Sequence, residues 1–245
     1  MSVVISAADR LVAQMACEIH DGAVVATGVA SPLAVLAIAV ARATHAPSLT
    51  YLACVGSLDP EVTRLYGSSE DLAYMTGRRA EITIPDLFDH ARRGRVDTVF
   101  FGAVEVDGEG RTNLSAAGSL AKPKVKFPGV VGACSLRRWC KRPVLVVPRQ
   151  TARCLVPRVH VRSTDDDRRT RLLTDLAVFS IGEGGAVLEA IASHATLDAV
   201  RARTGFAFRE AAPIAQLADP SADMLAAIRR LDPDNLRAEL VGQLN

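Results

Sequence analysis

The stretch from Ala23 to Cys54, "AVVATGVASPLAVLAIAVARATHAPSLTYLAC", constrains the fold more than any other part of the chain. "AVVAT" (Ala23 to Thr27) has the length and apolar character of a buried strand, and "LTYLAC" (Leu49 to Cys54) repeats it. Between them Ser31-Pro32 starts a helix, because proline's fixed φ suits the first helical position, where its missing N–H is not needed. That helix, running to Ala43, is apolar on nearly every side and is expected to be buried. Strand, helix and strand in about 30 residues make a βαβ unit with a right-handed crossover. An α/β fold follows.

The rest of the chain continues the alternation. Ser6 caps a first helix whose Leu11, Val12, Met15 and Ile19 share one face, with Gly22 ending it. "PDLFDHARRG" (Pro85 to Gly94) reads as a helix and "VDTVFFG" (Val96 to Gly102) as a strand. "AVEVDGEGRTNLS" (Ala103 to Ser115) reads as a hairpin around its Asp-Gly-Glu-Gly turn. "VLVVP" (Val144 to Pro148) is a buried strand, and the zwitterionic "RVHVRSTDDDRRTRL" (Arg158 to Leu172) an exposed loop. "TDLAVFSI" (Thr174 to Ile181) and "AVLEAIA" (Ala186 to Ala192) form a second hairpin through Gly182, Gly184 and Gly185. Thr196 caps a helix ended by Gly205, and a last helix near Asp223 to Leu231 precedes a polar tail. The expectation is one domain over residues 1–245: an open, largely parallel sheet flanked by helices, with antiparallel decoration.

Composition agrees and excludes some partners. Hydrophobic residues make up 49% but aromatics only 4%, which suits aliphatic layers covering a parallel sheet. A net charge of +2 offers no general basis for binding nucleic acid. The five cysteines are odd in number and lack CxxC spacing, and the five histidines are scattered, so neither a disulfide framework nor a metal site is expected. Neither a membrane span nor a secretory leader is read, and a cytoplasmic protein is expected.

Three places invite chemistry. Cys54 stands at a strand's end, where α/β proteins bind ligands. It is a nucleophile, a small core residue, or the mark of a lost reactive group, and no local His or Lys favours the first reading. "KVKFPGVVGACSLRRWC" (Lys124 to Cys140) combines Pro128, Gly129 and Gly132 with a helix start. Such a loop either presents N–H groups to an oxyanion or phosphate, helped by Lys124 and Lys126, or is a turn with solvated lysines. Asn113, beyond the tight turn, either orients a substrate carbonyl or satisfies turn backbone.

Taken in order, "VVATGVASPLAVLAIAVA", "LACVGSLDP", "FFGAVEVDGEGRTNLS", "KVKFPGVVGACS", "LLTDLAVF" and "ATLDAVRARTGF" resemble the β subunit of class I coenzyme A transferases, particularly the glutaconate type. The resemblance covers nearly the full length and implies the coenzyme A transferase fold. Active members have a glutamate at the strand end where aligning Gly56 places Cys54. That carboxylate attacks the CoA thioester to give an acyl-enzyme anhydride, which a cysteine cannot form. The family's Gly-Ser-Gly-Gly-Ala loop stands here as Gly129-Val130-Val131-Gly132-Ala133.

A β chain lacking this glutamate is similar to the small subunit of steroid ring-opening hydrolases. The resemblance then implies hydrolytic C–C cleavage of a cyclic β-keto acyl-CoA, with the acid–base glutamate on a homologous α subunit, in an α2β2 assembly. It implies Lys126 as the catalytic contribution of this chain, and Cys54, Gly56, Asn113, Gly129, Gly132 and Ala133 as substrate-lining residues. Neither metal nor redox cofactor is implied, since CoA is part of the substrate. The rival expectations are a conventional CoA transferase subunit and an effector-binding module of a regulator. The latter is disfavoured because the first helix runs straight into "AVVAT".

Overall fold

The computed structural model describes residues 4–127, 129–164 and 169–243. The chain forms two compact units. The first takes residues 1–100, 139–142 and 219–245, and the second residues 101–138 and 143–218.

The first unit opens with α1 (Ala7–Cys17). Ser6 and Asp9 close a capping box: Ser6 Oγ accepts from the Asp9 N–H (3.1 Å), and Asp9 Oδ2 accepts from the Ser6 N–H (2.9 Å). β1 (Val24–Ala26), α2 (Pro32–Thr44) and β2 (Thr50–Ala53) form the expected βαβ unit, with Val24 opposite Thr50 in a parallel ladder. Leu33 to Ala41 are all buried, so α2 is packed on every face. The chain then turns back antiparallel as β3 (Ser57–Leu58), which pairs with β4 (Ala80–Glu81). After α3 (Ile84–Arg92), β5 (Thr98–Gly102) lies parallel to β1 on its other side. The order β5-β1-β2-β3-β4 thus has a parallel centre and an antiparallel edge.

In the second unit β6 (Glu105–Val106) and β7 (Thr112–Asn113) form the expected hairpin. A further hairpin of β8 (Ala116–Gly118) and β9 (Pro123–Lys126) leads to α4 (Ala133–Trp139). β10 (Arg142–Val147) lies parallel to β11 (Thr170–Thr174). β12 (Ala177–Ile181) and β13 (Ala186–Ile191) follow antiparallel, as expected. α5 (Leu197–Ala202), capped by Thr196, carries the chain to β14 (Phe208–Gln216), parallel to β13. The first unit is completed by α6 (Ala222–Leu231) and α7 (Leu236–Gln243).

Three expectations need correction. The polar tail is the helix α7, capped by Asp232, whose carboxylate accepts from the Leu236 and Arg237 N–H groups. The segment from Arg158 is not wholly an exposed loop: Val159, Val161 and Thr164 are buried, and the Ser163 N–H donates to Thr112 O (2.9 Å), extending the β7 ladder. Residues 165–168 of that segment, and Pro128, lie outside the described residues. β14 had no counterpart in the sequence reading, because its residues are mostly half-buried or exposed and do not alternate. Among the described residues no helix is long and apolar enough to cross a membrane.

Candidate active site

β1 and β2 run parallel, so their C-terminal ends open on the same side, where α/β sheets hold ligands. Thr27 and Gly28 follow β1, and Cys54 follows β2. The Cys54 N–H reaches Thr27 Oγ1 (3.4 Å), which also contacts the Tyr51 hydroxyl (2.9 Å). Cys54 Sγ lies 3.2 Å from Gly28 O, 3.7 Å from Ser69 O and 3.9 Å from Ser69 Oγ. Ser69 is fully buried; its hydroxyl donates to Gly28 O (3.1 Å) and accepts from the Ser31 N–H (3.0 Å).

These contacts define the thiol's chemistry. Its nearest neighbours include the carbonyl oxygens of Gly28 and Ser69, to which S–H donates and which would repel a thiolate. Burial pushes the Cys54 pKa up, and hydrogen bonding with Thr27 and Ser69 opposes this only in part, while the Glu70 charge adds to it. None of these influences comes from a cation, so the local arrangement holds a neutral thiol rather than an activated nucleophile.

Gly56, two residues on, serves the β2–β3 turn. Its φ is +107°, a Cβ there would stand 3.2 Å from Ile82 O, and its carbonyl accepts from the Ile82 N–H (3.0 Å). Glycine is required by the backbone at this point.

The other expected site residues belong to the second unit. Lys126 ends β9, paired with Ala116, and its side chain is exposed. The Gly129 N–H donates to Leu114 O (2.8 Å) and the Ala133 N–H to Val130 O (2.7 Å), while Gly132 O accepts from the Leu136 N–H (3.0 Å). The N–H groups of Gly129 and Ala133 are therefore engaged within the chain, contrary to an open anion cradle at those two positions. Asn113 also needs correction as a substrate contact. It is fully buried, donates to Glu105 Oε2 and Ala116 O (2.9 Å each), and accepts from the Ser115 and Ala116 N–H groups. Its amide has no capacity left for a ligand, which is the turn-satisfying alternative.

Ser69 and the Thr27–Gly28 corner were missed from sequence. Their signal is weak, because a serine in "GSSEDL" reads only as a loop. His160 was also passed over, although its Nδ1 lies 2.7 Å from Glu105 Oε1. The partners are 55 residues apart, beyond any motif spacing. Among the described residues no group of three or more His, Cys, Asp or Glu side chains is placed to hold a metal ion.

Comparison with known proteins places this geometry. Over 98% of this chain and 100% of the other, the fold matches a chain of the decarboxylase AibA/AibB, with 61% identity and a TM-score of 0.95. Four further solved forms of that protein replace a single cysteine, by valine, asparagine, serine or alanine. One subunit of the 3-oxoadipate CoA-transferase of Pseudomonas knackmussii (strain DSM 6978 / CCUG 54928 / LMG 23759 / B13) is 26% identical over 87% of this chain and 88% of its own. Glutaconate coenzyme A-transferase of Acidaminococcus fermentans shares the fold at 18% identity, with a TM-score of 0.82 over 94% of this chain and 95% of its own. The coenzyme A transferase family model matches residues 9–203, so the chain belongs to the coenzyme A transferase family.

Proposed function

We propose that this chain is the cysteine-bearing subunit of a heteromeric decarboxylase whose substrate is an acid carried as a coenzyme A thioester. The observation carrying this reading is 61% identity to a chain of the decarboxylase AibA/AibB over essentially the whole length of both. The cysteine replaced in that protein's variants stands two positions later in its own count than Cys54 does here, and identity falls from 61% to 60% in those variants. Both facts fit a cysteine shared at this strand end.

The chemistry suits the niche. Transferases of this family place a carboxylate here, and a neutral thiol removes a charge that would repel a substrate carboxylate. Decarboxylation breaks a C–C bond, releases CO2 and leaves the electron pair on carbon, delocalised into the thioester carbonyl. The Cys54 S–H supplies a proton to that carbon, and the thiolate regains one from water. The thioester itself is the electron sink, so the step requires neither metal nor redox cofactor. A second, homologous subunit completes the enzyme, in an α2β2 assembly, and the protein works in the cytoplasm.

The vacated carboxylate position is equally suited to the steroid ring-opening hydrolase, which also proceeds without an acyl-enzyme. One experiment separates the readings. The chain co-purified with its partner subunit is given a ¹³C-carboxyl-labelled mono-CoA thioester of an unsaturated dicarboxylic acid, with acetate present, and a parallel sample receives a cyclic β-keto acyl-CoA in H₂¹⁸O. Release of ¹³CO2 without acetyl-CoA is expected. Acetyl-CoA without CO2 establishes a transferase instead, and a ring-opened product carrying ¹⁸O establishes the hydrolase.

A further inference from the structure

Ser69 joins two elements that close on Cys54. Its Oγ accepts from the Ser31 N–H (3.0 Å), at the start of α2, and its hydroxyl donates to Gly28 O (3.1 Å), just past β1. Ser31 O in turn accepts from the Ala34 and Val35 N–H groups, so the buried helix α2 fixes the place of the Ser69 oxygen. Only the hydroxyl hydrogen is left to turn. Ser69 is fully buried, so bulk water does not compete for that hydrogen.

With the thiol protonated, Gly28 O accepts from both the Cys54 S–H (3.2 Å) and the Ser69 hydroxyl (3.1 Å). Cys54 Sγ also lies 3.9 Å from Ser69 Oγ, so the hydroxyl hydrogen has a second acceptor within reach. The charge on sulfur decides between the two. A neutral thiol is a weak acceptor and the carbonyl keeps the hydrogen. An anionic sulfur binds it about twice as strongly as a neutral acceptor does, and Gly28 O repels that sulfur towards Ser69. Thr27 Oγ1 is less free for this role, being bonded to the Cys54 N–H and the Tyr51 hydroxyl. Burial raises the Cys54 pKa, and hydrogen bonding with Thr27 and Ser69 works against that rise.

We infer that Ser69 is a positioning residue for Cys54: its hydroxyl holds Gly28 O against the resting thiol, then turns to donate to the thiolate. The inference rests on the decarboxylase reading, in which the Cys54 S–H bond breaks as a C–H bond forms on the substrate carbanion. The electron pair of the S–H bond stays on sulfur, and the Ser69 O–H bond remains intact throughout. Water then returns a proton to sulfur, and the hydroxide formed combines with the released CO2 as bicarbonate. Without Ser69 the thiolate is buried against Gly28 O with one donor fewer. The thiol is then a weaker acid when the carbon needs its proton.

The complex of this chain with its partner subunit tests the inference in Ser69→Ala and Ser69→Cys, the second keeping the shape with a weaker donor. Two readouts are taken: ¹³CO2 release from the labelled thioester, and the pH dependence of Cys54 alkylation by iodoacetamide, with exposed Cys134 as internal standard. Arg64 separates Cys54 from position 69, so tryptic peptides resolve the two sites in the cysteine variant. Ser69→Ala should lower kcat about tenfold with KM little changed, and raise the Cys54 alkylation midpoint by about one pH unit, as for loss of one hydrogen bond to a charged group. Ser69→Cys should fall between wild type and Ser69→Ala in both, and it carries the test alone if the alanine chain does not assemble. A merely structural role predicts the opposite shift, because a loosened site exposes the thiol and lowers its midpoint. A midpoint unchanged or lowered, a raised midpoint with kcat intact, or failure of both variants to assemble overturns the inference. A wild-type complex that releases no CO2 overturns the decarboxylase reading instead, and the alkylation midpoint still decides whether Ser69 serves the thiolate.

Discussion

At Cys54 a negative charge would be buried facing two carbonyl oxygens, Gly28 O and Ser69 O. Folding therefore holds the thiol proton more tightly than the unfolded chain does. The sign follows from linkage: this group's stability contribution is full below the unfolded pKa and is lost as pH rises through the higher folded value. Alkylation of Cys54 by iodoacetamide should accordingly stay slow at neutral pH, behind the exposed Cys134, and rise only above the ordinary thiol value of about 8.5. Peptide mapping by mass spectrometry across that range measures it; fast labelling at neutral pH would show that a cation reaches the thiol in the assembled enzyme. The sequence made the position of Cys54 legible, since a strand end before a glycine turn is a local pattern. Its protonation was not legible, because Ser69 and Gly28 approach from 15 and 26 residues away.

Elements were read well wherever their signals were local. Caps at Ser6 and Thr196, and proline at the start of α2, are all chemistry written within one turn. α7 was not, because its stability is tertiary. Arg237, almost wholly buried, bonds Asp9 of α1 (2.7 Å) and Asp232 (2.8 Å). Burial pushes the Asp9 pKa up, but hydrogen bonds with Ser6 and Arg237 outweigh it, so the net pKa lies below the ordinary carboxylate value. Its stabilisation is present above the unfolded pKa, about 3.9, and is lost as pH falls through the folded value. Arg237→Ala should cost about 3–5 kcal/mol by stranding two buried carboxylates, read from the urea midpoint. Gly205 teaches a similar lesson. It reads as a helix-ending glycine, yet its position is set by packing: a Cβ there would stand 2.4 Å from Leu155 O. Gly205→Ala should destabilise the second unit by about 1–3 kcal/mol and raise its hydrogen exchange around residues 152–157, whereas an unchanged midpoint would mean that the segment yields freely.

For the whole molecule, the order of six segments carried the family, while the division into two units was hidden. Residues 139–142 and 219–245 return to the first unit after long excursions, and no composition shift or linker marks those returns. The proposed chemistry can be put to a test at one side chain on the family's frame. If the niche beyond β2 favours decarboxylation because it is uncharged, Cys54→Glu should restore the repulsion against a substrate carboxylate and reduce CO2 release by about a hundredfold, on the order of 3 kcal/mol. The same carboxylate would regain the family's nucleophile, so a CoA thioester should now acylate the complex and hydroxylamine should trap the product as a hydroxamate at residue 54. Cys54→Ser, uncharged, should keep part of the decarboxylation and give no trapped product, separating lost charge neutrality from a lost side chain. Decarboxylation undiminished in the glutamate variant would show that the carboxylate of the substrate never approaches Cys54, and the reacting carbon would have to be sought elsewhere in the assembly.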